Sequence, residues 1–133
     1  MNYNFSAAQT LDPLIQWIRE KMESIRGKHA VIGISGGKDS SVTAALMAKA
    51  LGPEKVFGIL MPDDHQKDIS YAREIAVHLG IHWSEINIGP ITGSFYQQLR
   101  DSSLFDHLDI SQQTRLNLPP RVRMTLLYAI SQS

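Results

Sequence analysis

The amino-acid sequence reads as an α/β protein in which helices cover both faces of a mostly parallel sheet. Short apolar runs rich in β-branched residues alternate with longer stretches whose apolar residues return every three or four positions. Glycine, in places followed by proline, closes most of these segments. Strands alternating with helices build βαβ units, and their right-handed crossovers lay the helices over the sheet.

Taken in order, residues 6–26 predict an amphipathic helix, with Leu11, Leu14, Ile15, Ile18, Met22 and Ile25 on one stripe and Gly27 as terminator. Residues 29–35 (HAVIGIS) predict a strand buried on both faces. A helix over residues 40–51 follows, stopped by Gly52-Pro53. Residues 55–62 (KVFGILMP) predict a second buried strand, and residues 68–79 a helix closed by Gly80. Residues 82–88 (HWSEINI) predict a third strand, alternating inward and outward until Gly89-Pro90. A further helix is expected over residues 91–99, then a polar, irregular loop over residues 101–118. Pro119-Pro120 opens a last helix over residues 121–133, the prolines standing in a first turn where a missing N–H costs nothing. That helix meets neither cap nor further strand, and three strands are few for an open sheet. Residues 1–133 therefore read as one domain, truncated at its carboxy-terminal side.

A chain of 133 residues, 43% hydrophobic and 20% charged, has the size and composition of one globular domain. Lys plus Arg and Asp plus Glu both number 13, so the formal net charge is zero and no basic footprint for nucleic acid or an acidic membrane stands out. Cysteine is absent, which excludes disulfides, thiolate metal ligands and a cysteine nucleophile. Met1-Asn2-Tyr3-Asn4-Phe5 lacks the basic-then-apolar pattern of a signal peptide. No apolar run approaches the roughly 20 residues that span a bilayer. A cytoplasmic protein with no membrane or nucleic-acid partner is expected.

The segment that carries chemistry is Gly33-Ile34-Ser35-Gly36-Gly37-Lys38-Asp39-Ser40-Ser41, between the first strand and its helix. Gly36 and Gly37 admit positive φ and let backbone N–H groups approach a ligand unobstructed. The next helix aims its positive N-terminal end at the same place. Ser35, Ser40 and Ser41 add hydroxyls, and Asp39 a carboxylate suited to a Mg²⁺ that bridges phosphates. The spacing is neither G-x-x-x-x-G-K-[ST] nor G-x-G-x-x-G.

The pattern S-G-G-x-D-S, with Lys38 at its variable position, resembles the pyrophosphate loop of the ATP-pyrophosphatase superfamily, whose members cleave ATP between the α and β phosphates. Two further segments resemble ammonia-dependent NAD⁺ synthetases. One is Leu60-Met61-Pro62-Asp63-Asp64-His65-Gln66 after the second strand; the other is Arg121-Val122-Arg123-Met124-Thr125-Leu126-Leu127-Tyr128, an R-x-R-M-x-x-x-Y helix. The likeness runs over residues 18–130. It implies an adenine nucleotide alpha-hydrolase-like, Rossmann-like fold and a homodimer. ATP would be bound by Gly33, Ile34, Ser35, Gly36, Gly37, Lys38, Asp39 and Ser40, with Gln66 at its adenosine. Asp39 would hold Mg²⁺, and Arg121 would hold nicotinic acid adenine dinucleotide. The implied reaction amidates that dinucleotide with ammonia through an acyl-adenylate, releasing AMP and pyrophosphate, with no nucleophilic residue on the protein. The pattern departs at Leu60, where many members carry Arg, and at Asp64-His65, where a Tyr-Gly-like pair precedes the glutamine. The family's second Mg²⁺-binding acid lies beyond the Arg-Met helix.

Other residues read as ordinary: five histidines without metal-ligand spacing, Asp63, Asp64 and Asp68 as a solvated loop, Trp17 and Trp83 as packing residues, Arg123 as structural, Met124 and Tyr128 as core. Two other readings stay open. A tRNA-thiolating enzyme also uses S-G-G-K-D-S, but usually with cysteines and a basic surface. A nucleotide-binding fragment without catalysis is the other.

Overall fold

The computed structural model describes residues 6–133. Its elements are helix α1 (Ala7–Ser24), strand β1 (Ala30–Gly33), α2 (Lys38–Leu51), β2 (Val56–Leu60), α3 (Ile69–His78), β3 (His82–Glu85), α4 (Gly89–Arg100) and α5 (Gln112–Ser131). The three strands lie parallel in the order β1-β2-β3, with Ala30 opposite Val56 and Phe57 opposite His82.

Alternation along β2 divides the core. Val56 and Leu60 point to one face and join Ala44 of α2 and Ala72 and Ala76 of α3. Ile59 and Met61 point to the other and join Ile88 and Val122, under α4 and α5. Both βαβ crossovers run over the first face, and the expected helices on both faces of a Rossmann-like parallel sheet are present. Outside α2 lies α1, packing Ile15 and Ile18 of its predicted stripe on Ala50. Arg19 of α1 donates its Nε–H to the Ala50 carbonyl at 2.8 Å, satisfying one of the orphan acceptors at the end of α2.

Several sequence expectations give way to local geometry. α1 ends in a Schellman arrangement whose left-handed residue is Arg26 (φ 53°), not Gly27; Gly27 N–H bonds Met22 O at 2.8 Å. β1 lies at the sheet edge and is only half-buried. All four residues of β3 are exposed, Trp83 by 40%, and the inward positions of that segment come later, at Ile86 and Ile88. Trp17, at 53%, is likewise exposed. The expected loop over residues 101–118 holds a 3-10 turn at Ser103–Asp106 and then the start of α5, capped by Ser111 Oγ accepting from Thr114 N–H at 3.1 Å. α5 therefore begins before the two prolines and runs through them. The Arg115 carbonyl, deprived of a donor by Pro119, receives a long hydrogen bond of 3.5 Å from the Tyr96 hydroxyl of α4.

The turn after β2 is ordered rather than freely solvated. Asn87 Oδ1 accepts from both Asp64 N–H (3.0 Å) and Gly89 N–H (2.8 Å), and buried Thr92 donates to Asp63 Oδ1 at 2.9 Å. Asp64 takes a left-handed conformation, φ 54°, and its carboxylate lies where a Cβ on Gly89 would stand. Asp64 is exposed and its carboxylate makes no hydrogen bond among the described residues, so it can swing aside, and Gly89→Ala is expected to change stability by less than about 1 kcal/mol. Thermal unfolding of the single variant checks this, and a loss of several kcal/mol would mean that the Asp64 carboxylate is fixed where it stands.

Candidate functional site

The glycine-serine loop grows out of the sheet. Ile34 N–H bonds Ile59 O at 2.9 Å, one residue past β1, and the Ile34 side chain is only 2% exposed. That root is fixed in the core on the α2–α3 face. From it the chain must turn to enter α2, and Gly36 makes the turn at φ 85°. A Cβ there would stand 2.7 Å from the Asp68 carbonyl and 3.3 Å from Ala72 N, the backbone of the first turn of α3. Gly37 differs from expectation: at φ −81° it needs no glycine on conformational grounds.

Gly37 is also the N-cap of α2, and no side chain caps that end. Helix geometry leaves the first N–H groups, those of Lys38, Asp39 and Ser40, without intrahelical acceptors, with the positive end of the helix dipole behind them. All three serine hydroxyls are engaged inside the loop. Ser40 Oγ accepts from Ser35 N–H (3.2 Å), donates to Gly37 O (3.1 Å) and lies 3.1 Å from Ser35 Oγ. Ser41 Oγ donates to Gly37 O at 2.7 Å, and Gly37 N–H donates to Ser35 Oγ at 3.3 Å. These bonds hold the loop in one shape before any ligand arrives. Lys38 and Asp39 project from the first turn of α2 into solvent.

Beside the loop lies a cavity of about 520 Å³ lined by Gly33, Ile34, Ser35, Met61, Gln66, Arg123 and Leu127. Gln66 reaches it from the turn after β2 and donates Nε2–H to the Ser35 carbonyl at 2.9 Å. So the structure brings Gly33, Ile34, Ser35 and Gln66 together, with Gly36 to Ser40 continuing the same loop. Arg121 stands elsewhere. It donates to Asn117 O on its own helix at 2.9 Å and borders a separate, largely apolar cavity of about 320 Å³ with Ile91, Phe95 and Leu126 of α4 and α5. Arg123, read from sequence as structural, bonds Met61 O at 2.9 Å and also lines the loop cavity. Its place was recoverable in part from helical spacing, since Arg123 and Leu127 share one face of α5. Met124 and Tyr128, expected in the core, are 67% and 66% exposed. Among the described residues, no group of three or more His, Cys, Asp or Glu side chains converges to hold a metal ion.

Gly36→Val is expected to destabilise the chain by about 1–3 kcal/mol, because it combines positive-φ strain with a clash against backbone. Gly37→Ala, whose Cβ would meet only Ser35 Oγ at 3.4 Å, should leave thermal unfolding nearly unchanged. Equal losses for the two would contradict the geometry of the loop.

Comparison with known proteins agrees with this architecture. The family model described as NAD synthase matches residues 10–133. An NH(3)-dependent NAD(+) synthetase of Thermococcus sibiricus is 36% identical over 95% of this chain and 47% of its own length. One from Pyrococcus horikoshii is 39% identical over 94% of this chain and 44% of its own. Among solved structures, an NH3-dependent NAD synthetase from Campylobacter jejuni superposes with TM-score 0.83 at 28% identity, over 96% of this chain and 53% of that one. An NMN synthetase from Francisella tularensis gives TM-score 0.83 at 27% identity, over 97% and 51%. The chain spans about half the length of the curated relatives it matches. With a family match over nearly all of its residues and a parallel sheet that superposes on the solved members, the chain belongs to the NAD synthase family.

Proposed function

We propose that this chain is a single ATP-holding domain of an ammonia-dependent NAD⁺ synthetase, working in the cytoplasm. The observation that carries the reading is the pre-shaped glycine-serine loop opening onto the uncapped N-terminus of α2, in a chain of this family. Gly33 to Ser40 hold the ATP phosphates, and Gln66, beside Ser35, contacts the adenosine end. Arg121 holds nicotinic acid adenine dinucleotide from the α4–α5 side, its planar fork suited to a carboxylate or phosphate.

A nicotinate carboxylate oxygen attacks the α-phosphorus of ATP, and pyrophosphate leaves. Ammonia nitrogen then attacks the acyl carbon, AMP leaves, and the surplus proton passes to solvent. The loop's part is electrostatic: backbone N–H groups fixed in advance face the oxygens on which negative charge gathers as pyrophosphate departs. No step requires a nucleophile from the protein, in keeping with a sequence that has no cysteine. One carboxylate, Asp39, in the first turn of α2 beside the loop suits Mg²⁺, which commonly takes one or two carboxylates together with substrate phosphates rather than a full protein cage. Bound there with ATP, Mg²⁺ would neutralise phosphate charge.

A second copy of the chain is the proposed partner. Met124 and Tyr128 on α5, with Leu116 (63% exposed) further along the helix, form a second apolar stripe facing away from the buried Val122. A two-fold contact between such stripes would bury both. Leu127, by contrast, faces the loop cavity, so the informative variant is on the outer face.

Formation of NAD⁺ from ATP, ammonia and the acid dinucleotide tests the reading directly, with nicotinate mononucleotide as the competing acceptor that the likeness to an NMN synthetase raises. No amidation of either acceptor, together with no binding of Mg·ATP, would sink it. Asp39→Asn is expected to weaken Mg·ATP binding measured by calorimetry while thermal stability stays nearly constant; unchanged affinity would refute the Asp39 role. Sedimentation at micromolar concentration should show a dimer that Tyr128→Glu dissociates. A wild-type monomer would remove the homodimer.

A further inference from the structure

We propose that Asn87 is a positioning residue of the nucleotide site: from the entry of α4, its side-chain oxygen fixes the turn that carries Gln66 to the glycine-serine loop. This rests on the reading of Gln66 as an adenosine contact, and adds to it what holds that glutamine in place.

Residues 86–88 follow β3 and run on beside residues 60–62. Ile86 N–H donates to Leu60 O and Ile88 N–H to Pro62 O, both at 2.8 Å. Between these two bonds stands Asn87, whose Oδ1 accepts from Gly89 N–H at 2.8 Å and from Asp64 N–H at 3.0 Å. Both partners are donors, so the oxygen of the amide is the atom that faces them. The bond to Gly89 closes an Asx turn at the entry to α4 and is local. The bond to Asp64 spans 23 residues, and no local turn requires it.

What that second bond holds is a residue in the left-handed region, Asp64 at φ 54°. Aspartate tolerates this conformation better than most residues, but it persists only where the surroundings fix it. Here they do so from two adjacent positions. Thr92 Oγ1–H donates to Asp63 Oδ1 at 2.9 Å, and Asn87 takes the N–H of the next residue. Two residues further on, Gln66 donates Nε2–H to Ser35 O at 2.9 Å and so joins the turn to the loop. Asn87 is itself exposed and is not among the residues that line the loop cavity. It reaches the site only through Asp64 and Gln66. Its influence therefore falls on the adenosine end of ATP. The phosphate end rests on the loop's own serine bonds and on the N-terminus of α2.

The test titrates Mg·ATP, and separately inorganic pyrophosphate, into the wild-type chain and its variants by calorimetry, with thermal unfolding recorded for each. Asn87→Ser can keep the local turn to Gly89, but its side chain is too short to reach Asp64 as well. It should weaken ATP binding about three- to tenfold, the size of one lost ligand hydrogen bond, and leave pyrophosphate affinity unchanged. Asn87→Asp keeps both acceptor bonds. Made in an Asp64→Asn background, so that no second carboxylate crowds Gly89, it should bind ATP as Asp64→Asn alone does. In a Gln66→Ala background, Asn87→Ser should cause no further loss. Wild-type ATP affinity in Asn87→Ser overturns the assignment. So do equal losses for ATP and pyrophosphate, which would make Asn87 a general strut of the fold, and so does a full further loss in the Gln66→Ala background. Gln66→Ala with wild-type ATP affinity removes the adenosine role of Gln66, and the assignment with it. A wild-type chain that binds neither ligand overturns the nucleotide-site reading itself.

Discussion

Contact between the Gly36 backbone and the first turn of α3 is the constraint on which the rest of the site depends. The loop leaves the core at Ile34 and must enter α2 within a few residues, yet Asp68 and Ala72 of α3 already occupy the space any side chain at position 36 would need. A residue without Cβ, at positive φ, resolves both demands at once. From there the bonds run outward. Ser35 is held by Ser40 within the loop and by Gln66 from the turn after β2; that turn is held in turn by Asn87 and Thr92 at the start of α4. Loop, turn and helix terminus are thus one hydrogen-bonded assembly at the carboxyl ends of β1 and β2, the end of an open α/β sheet where ligands are usually received.

Much of this architecture was legible because its signals are local. The alternation of β-branched runs with three-and-four periodicity gave every helix and strand, and the glycine-serine segment announced its own position between strand and helix. What escaped has a physical reason in each case. Ser111 caps α5 eight residues before Pro119, and prolines read as a helix start were tolerated inside a helix packed on α4, where Tyr96 reaches the freed carbonyl. The burial of β3 depended on neighbours that sequence periodicity does not specify, so HWSE appeared alternating and is exposed throughout. Arg26 rather than Gly27 took the left-handed position because the Schellman hydrogen bonds fix which residue turns, not which residue turns most easily. Asp63 and Asp64 looked like solvated loop acids, since nothing local shows that Thr92, 29 residues from Asp63, will hold one of them.

Total charge and local charge tell different stories. Thirteen basic and thirteen acidic residues cancel over the chain, yet the sum conceals their distribution. Arg73 and Glu85 neutralise one another across α3 and β3 through two hydrogen bonds of 2.8 and 3.0 Å. Among the described residues Arg123 has no such neighbour, and beside the apolar wall of the loop cavity its charge is less screened than it would be in water. The balanced totals pointed to no broad basic surface, and they had no bearing on a single directed cation.

α5 presents three surfaces on one cylinder. Arg123 and Leu127 face the loop cavity, Val122 and Leu126 face the sheet and α4, and Met124 and Tyr128 face outward. A helix is stiff along its axis, so a small rotation or slide of α5 moves all three together. Whatever seats on the outer stripe and whatever fills the cavity therefore act on the same mechanical element. If the first changes the affinity for the second by some factor, thermodynamic reciprocity requires the second to change the affinity for the first by that same factor. The helix that closes the cavity is in this sense also a lever between it and the protein's exterior.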